Sequence, residues 1–177
     1  MRVVPLGISD CEQLALHLDR NARQSGKLGI EYAVLEASDL PSLSELEDQI
    51  KLGLQRSIHE PGWARYWGLS SVHKKLGGHL YLKGSAFRSS SHRCRLGMGI
   101  EPEFRGKGFG KLLLTKALAW LEEQATIDWV ELYAFEHNEP AIKLYEKFGF
   151  RKVGLVEDLF RINGQSVNDI IMTLRIK

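Results

Sequence analysis

Apolar residues along this chain recur at two different periods, and the changes of period mark out its elements. Residues 2–6 read as a short opening strand. A capping box, Ser9-Asp10-Cys11-Glu12, then starts a helix on which Cys11, Leu14, Ala15 and Leu18 form one stripe. Over residues 23–41 the pattern loosens, with Ser25-Gly26 and Gly29 as breakers and a brief strand expected over 31–36. A second capping box, Ser42-Leu43-Ser44-Glu45, opens a helix with Leu43, Leu46, Ile50, Leu54 and Ile58 at intervals of three and four, expected to stop near Glu60-Pro61-Gly62.

Three strand-like runs follow, over 64–71, 78–83 and 93–100, punctuated by Gly77-Gly78 and by the serine-rich stretch 85–91. They predict an antiparallel meander. Leu113, Leu114, Ala117, Leu118 and Leu121 return to helical spacing, and residues 129–135 read as a strand. Ala141, Leu144, Tyr145 and Phe148 give a short helix with Pro140 in its first turn. Two final strands, 152–162 and 167–176, are joined by Asn163-Gly164, a favoured hairpin turn. The predicted order is β-α-α-β-β-β-α-β-α-β-β, an α/β (α+β) fold, with neither an internal repeat nor a linker. Residues 1–177 are therefore read as a single domain.

Composition adds exclusions. With 44% hydrophobic and 26% charged residues the chain is ordinary for a folded globular protein. A formal net charge of +2 is too balanced to point to nucleic acid. Basic residues cluster only locally, at His92-Arg93-Cys94-Arg95 and around Arg105-Gly106-Lys107, where they could steer an anionic ligand. Cys11 and Cys94 are too few and too unpatterned for a disulfide framework or a zinc site, so no metal is expected. No apolar run approaches a membrane span or a signal peptide, and the expected location is cytoplasmic.

The chemistry concentrates after the 93–100 strand, where a glycine loop runs into a helix. Such a junction aims several unpaired backbone N–H groups, backed by the helix dipole, at one anion. Two phosphate fingerprints fail on spacing. A P-loop needs a hydroxyl after Gly-Lys, but Gly110-Lys111 is followed by Leu112, and Arg105 stands where its first glycine belongs. A dinucleotide loop needs Gly-x-Gly-x-x-Gly, and counting from Gly97, Gly106 or Gly108 ends on Pro102, Lys111 or Leu113. The run Arg105-Gly106-Lys107-Gly108-Phe109-Gly110 instead fits Arg/Gln-x-x-Gly-x-Gly/Ala, and in this the chain resembles the GNAT superfamily of N-acetyltransferases. A second stretch is similar to that family's other cofactor motif, with Asn138, Ala141, Leu144, Tyr145, Gly149 and Phe150 in register.

The resemblance implies an acyl-CoA N-acyltransferase fold: a mixed, mostly antiparallel sheet, flanked by helices, in which two parallel strands splay to admit a pantetheine arm. It implies acetyl-CoA as cosubstrate, with residues 105–111 (Arg105, Gly106, Lys107, Gly108, Phe109, Gly110 and Lys111) around the pyrophosphate. Met98, Gly99 and Ile100 would pair with the pantetheine amides. Asn138 would bind the same arm while capping its helix. Tyr145 is the expected general acid, placed to protonate the departing thiolate; thiol and phenol reference pKa values of about 8.5 and about 10 make that exchange feasible.

An alkyl ammonium with a pKa near about 10.4 needs a base before it can attack. Glu131 and Tyr133, two apart on one strand face, and His92 are the candidates; Glu101 and Glu136 lie at strand ends and fit either a base or a turn residue, while His137 reads as a surface loop residue. Trp63, Tyr66 and Trp67 fit either a pocket wall or the core. Glu31, Glu36, Asp39 and Asp158 could supply acidic walls for a cationic acceptor. The expected acceptor is a small-molecule amine or a protein or peptide amine, with no nucleic-acid or membrane partner and a homodimer through the last strands as one possibility. The competing reading is a CoA-binding sensor or interaction module without turnover.

Overall fold

The computed structural model describes residues 1–24, 40–70, 75–162 and 164–177. The elements in chain order are β1 (Arg2–Leu6), α1 (Cys11–Arg23), α2 (Leu43–Gln55), β2 (Ala64–Ser70), β3 (Leu76–Gly84), β4 (Arg93–Ile100), α3 (Phe109–Glu122), β5 (Trp129–Phe135), α4 (Glu139–Lys147), β6 (Arg151–Ile162) and β7 (Gln165–Arg175). The strands form one seven-stranded sheet in the order β1-β2-β3-β4-β5-β7-β6. All neighbours are antiparallel except β4 and β5. The strand expected over 31–36 and the residue Asn163 lie outside the described residues.

Alternation along each strand divides the core in two. Leu80 and Leu82 of β3, Cys94 and Leu96 of β4, and Val130, Leu132 and Ala134 of β5 meet Leu113, Leu114, Ala117 and Leu121 of α3 and Ile142 and Tyr145 of α4. Each fully buried leucine there contributes about 2 kcal/mol of hydrophobic burial. On the other face Leu6, Ala64, Tyr66 and Leu76 pack against Cys11, Leu14 and Ala15 of α1 and Ile50 of α2. Trp63 and Trp67 are buried and pack near Trp120 of α3, and Tyr66 is buried as well, so these three rings are core rather than pocket wall.

Four boundaries differ from the sequence expectation. A single 3-10 turn, Ile8–Asp10, precedes α1, and the Asp10 carboxylate accepts from the Gly7 N–H at 2.9 Å, so the first helix is not capped by Ser9. The second helix ends at Gln55, before Ile58, because Arg56 is extended (φ −75°, ψ 139°) and Arg65 donates to the carbonyls of Leu54 and Arg56 at 3.5 and 3.0 Å. Its start is as expected: Ser42 Oγ accepts from the Glu45 N–H and the Glu45 carboxylate accepts from the Ser42 N–H. Gly77 and Gly78 do not punctuate a turn but sit inside β3, where a Cβ on Gly77 would lie 2.5 Å from the Phe104 ring. The last strand runs Gln165–Arg175, starting two residues earlier than expected. Among the described residues no helix is long and apolar enough to cross a membrane.

Candidate active site

The parallel pair β4–β5 is joined only at its beginning, through Arg93↔Trp129, Cys94↔Val130 and Arg95↔Glu131. Beyond Arg95 the register of β4 continues on its other side alone, with Leu80↔Met98, His79↔Gly99 and Gly78↔Ile100. The edge of β4 that faces β5 therefore carries N–H and C=O groups of Gly97 to Ile100 with no strand against them. An extended chain bearing amides can complete such an edge as an added strand. The pairing is absent toward the C-terminal ends of both strands, where the glycine loop begins.

That loop gathers backbone N–H groups at the start of a helix. The 3-10 turn Pro102–Phe104 leads to Arg105, whose Nε donates to the Ile100 carbonyl at 2.8 Å and ties the loop back to β4. Gly106 and Gly108 have φ of +70° and +81°, values that other residues adopt only at a cost. A Cβ at either would meet nothing within 4 Å, so the glycines serve backbone conformation and leave open space above the loop. Gly108 caps α3, and the helix-initial N–H groups of Phe109, Gly110 and Lys111 have no intrahelical acceptor. Phe109 and Lys111 line, with Lys107, Gly108, Leu112 and Thr115, a cleft of about 320 Å³. Gly110 has a different duty: its Cβ position lies 2.9 Å from Leu144, so α3 and α4 pack together there.

Across the gap, Asn138 caps α4, its Oδ1 accepting from the Ala141 N–H at 3.3 Å. About two turns of α4 beyond Asn138, Tyr145 is 6% exposed on the α3 side of the sheet, its ring edge-on to Phe150 at 5.8 Å. Burial pushes its phenol well above the ordinary range, and the nearby Tyr81 phenol raises it further. Tyr145 is thus held as a neutral phenol, its O–H free to donate and its oxygen able to accept.

The three candidate bases are not brought together. Glu131 lies between two guanidinium groups, Arg93 at 3.6 Å and Arg95 at 3.5 Å. Tyr133, next along that face, is 40% exposed with the Arg95 guanidinium 4.6 Å from its ring centre. His92 stands at the closed end of the gap, its carbonyl accepting from the N–H groups of Asp128 and Trp129. Of the acidic wall candidates, Asp158 pairs with Arg161 on the edge strand β6, and Glu31, Glu36 and Asp39 lie outside the described residues. His137 stacks on Phe135 in the loop after β5, and Glu136 accepts from Asn168 at 2.8 Å.

The Acetyltransferase (GNAT) family matches residues 42–150, a span that holds the glycine loop, the parted strands and α4. The chain belongs to the GNAT family. Among curated relatives, the [ribosomal protein uS5]-alanine N-acetyltransferase of Escherichia coli (strain K12) is 29% identical over 126 residues, 71% of this chain and 65% of that protein. The L-amino acid N-acetyltransferase AaaT of the same organism is 28% identical over 100 residues, 56% of this chain and 61% of that one. The chain thus spans just under two thirds of the length of these relatives. An acetyltransferase of the GNAT family from Streptococcus pneumoniae superposes with a TM-score of 0.81 at 19% identity, covering 99% of this chain and 98% of that one.

Within this GNAT frame the structure shows polar residues that the sequence reading left out. His17 of α1 is fully buried, donating through Nδ1 to the Glu101 carboxylate at 3.0 Å, with its Nε2 3.0 Å from His79 Nδ1. Arg20 closes the group on Glu101 at 2.9 Å. Burial would raise the Glu101 pKa, but the hydrogen bonds from Arg20 and His17 outweigh it and hold the carboxyl below its usual range. Burial lowers both histidines, His79 well below 6.5, so both are neutral imidazoles at pH 7. Glu101, read as a base or a turn residue, is instead the 2%-exposed anchor between α1 and the glycine loop. Tyr81 lies over Gly97, where a Cβ would fall 2.2 Å from its ring, and so reaches the gap from the α1 side. His17 stands outside the apolar stripe of Cys11, Leu14, Ala15 and Leu18, so the spacing gives no sign of its burial.

Proposed function

We propose that this chain transfers the acetyl group of acetyl-CoA to an amine acceptor, by direct attack in a ternary complex. The observation that carries this reading is the conjunction at one place of an unpaired strand edge, an anion-ready glycine loop at its end, and a buried protonated phenol beside it. The residues fit the cosubstrate: open space stands above Gly106 and Gly108, and the edge of β4 offers amide pairing to a pantetheine arm. Bound there, acetyl-CoA supplies an activated acetyl thioester.

Each residue then has a physical task. The N–H groups of Phe109, Gly110 and Lys111, with Arg105 and Lys107 nearby, hold the pyrophosphate through hydrogen bonds and the helix dipole. Met98, Gly99 and Ile100 would hold the arm in extension along the open edge of β4. Asn138 orders the start of α4, and α4 carries Tyr145, whose O–H donates to the sulfur as charge builds on it. The acceptor is an amine of a small molecule or of a protein or peptide, like the acceptors in the names of the two relatives. The buried, unlinked thiols of Cys11 and Cys94 suit a reducing cytoplasm. Val153, Leu155 and Leu159 are exposed along the edge strand β6 and support pairing of two copies there.

Tyr145→Phe tests the assignment, because it removes one oxygen and keeps the ring packing on Phe150. We expect turnover to fall about 10²-fold or more, the range of general acid catalysis, with acetyl-CoA affinity within about twofold of the original. Unchanged turnover would remove Tyr145 from the chemistry.

A further inference from the structure

Among the described residues only three buried side-chain polar atoms have no hydrogen-bond partner: Asn21 Nδ2, Gln24 Oε1 and Asp169 Oδ1. Folded proteins pair nearly all such atoms, so an orphan marks a place where a water or a ligand group belongs. Asn21 and Asp169 come from opposite ends of the chain and lie to either side of the same gap, Asn21 over β4 and Asp169 on β7, one strand beyond β5. The Asn21 side-chain oxygen lies 2.6 Å from where a Cβ on Gly99 would sit, which places the amide over β4 on the α1 side. Counting four residues on from the pair Arg95↔Glu131 brings Gly99 level with Phe135, and Phe135 pairs with Asp169 of β7. Directly opposed residues share a face. Since Val130, Leu132 and Ala134 point toward α3, Phe135 and Asp169 point the other way, to the α1 side.

Asp169 is 3% exposed. Its surroundings are apolar: Phe135, Ile162 and Val167 form a small cluster with Phe160. Of the titratable residues on the strands paired with it and in the loop after β5, Glu131 pairs with Arg93 and Arg95, Tyr133 lies under Arg95, Glu136 is held by Asn168, His137 stacks on Phe135 and Asp158 pairs with Arg161; Arg151 and Lys152 stand opposite Thr173 and Met172, further along β7, and Glu157 sits beside Asp158 in the irregular part of β6. Burial raises the Asp169 pKa, and a hydrogen bond from the Ile170 backbone opposes that only in part. Among the described residues no cation pairs with Asp169, so an incoming ammonium group would offset the cost of burying its charge.

We propose that Asp169 receives the acceptor's ammonium group and takes its proton, on the sheet face opposite to Tyr145. This rests on the acetyl-transfer reading above and supplies the base that Glu131, Tyr133 and His92 do not. One proton passes from the ammonium to the Asp169 carboxylate, which frees the nitrogen lone pair. The C–N bond forms as the C–S bond breaks. The second nitrogen proton ends on the CoA sulfur by way of Tyr145, and Asp169 returns its proton to water. Base and acid thus serve the same carbonyl from two faces of the sheet. The Asn21 amide, across the gap, is the donor for the acceptor's neighbouring oxygen.

The test is Asp169→Asn, read against the unaltered chain with acetyl-CoA and an amine panel that includes L-amino acids, an alanine-terminated peptide and spermidine. We expect kcat/KM for the amine to fall at least 100-fold, the acetyl-CoA KM to stay within twofold, and the acidic limb of the kcat/KM profile to disappear. Asp169→Ala should recover turnover on addition of formate, which replaces the lost carboxylate. Asp169→Asn activity within threefold, with the acidic limb intact, would overturn the proposal, as would an Asp169→Ala protein that folds and gains nothing from formate. If the unaltered chain releases no thiol with any amine, the acetyl-transfer reading itself fails; turnover that ignores Asp169 defeats only this inference.

Discussion

Gly108 and Gly164 share a backbone conformation but not a task, and substituting each by alanine separates strain from ligand binding. Their φ values are +81° and +76°, and at both a Cβ would find open space. Forcing an L-residue into that region costs about 1–2 kcal/mol. For a chain of 177 residues each kilocalorie lowers Tm by about 2–4 °C, so both variants should melt about 2–8 °C below the unaltered chain. Only at Gly108 does the new methyl stand over the anion cleft and the start of α3. If the glycine loop escapes the strain by turning its N–H groups away, the same 1–2 kcal/mol reappears as a loss of about 5–30-fold in acetyl-CoA affinity. Differential scanning fluorimetry gives the first quantity, and isothermal titration with acetyl-CoA the second. Equal acetyl-CoA affinities for the two variants, at equal losses of Tm, would refute the assignment of this loop to the pyrophosphate.

The buried histidines predict acid sensitivity. His17 and His79 are held below the unfolded value of about 6.5, so their contribution is complete above that pH and is lost as pH falls toward their folded values. The loss is at most about 1.4 kcal/mol per pH unit for each. Glu101, also lowered, adds a loss below about 4.5, whereas Asp169, raised, works in the opposite sense and favours the fold as it protonates. Unfolding midpoints measured between pH 7.5 and 5 should therefore decline, and a flat profile would contradict the buried neutral pair. Gly97→Ala should drive the Tyr81 ring out of its place over β4, lowering turnover more than stability; a full retention of turnover would show that the ring is not needed at the gap. Val153→Asp on the exposed edge strand should shift a dimer to monomer in size-exclusion chromatography while leaving Tm within about 2 °C, and an unchanged elution volume would remove β6 from the interface.

What could be read from the chain beforehand was local chemistry. The loop from Arg105 to Gly110 and the cap Asn138 with Pro140 act within a few residues of themselves, so spacing alone placed them. The meander and the final hairpin likewise came from alternation between short turns. Interactions that join distant segments left no such trace. His17 meets Glu101 across 84 positions and His79 across 62, and each looks like an ordinary polar residue in its own helix or strand. The same holds for Asp169, whose burial depends on how β6 bulges against β7 between Val156 and Phe160. The end of α2 was misplaced because Arg65, ten residues beyond it, takes up its last carbonyls. Gly77 was taken for a turn because a glycine that makes room for Phe104 and one that makes a bend are the same letter.

The central claim is that a thioester held along β4 is attacked by an amine. The most direct measurement is thiol release from acetyl-CoA followed over a panel of amines, with the acetylated product confirmed by mass spectrometry. The account predicts thiol release that requires both the protein and an amine, with one acetyl group on the amine nitrogen for each thiol formed. Release at the same rate with no amine present, or none with any amine although acetyl-CoA raises Tm, would contradict it.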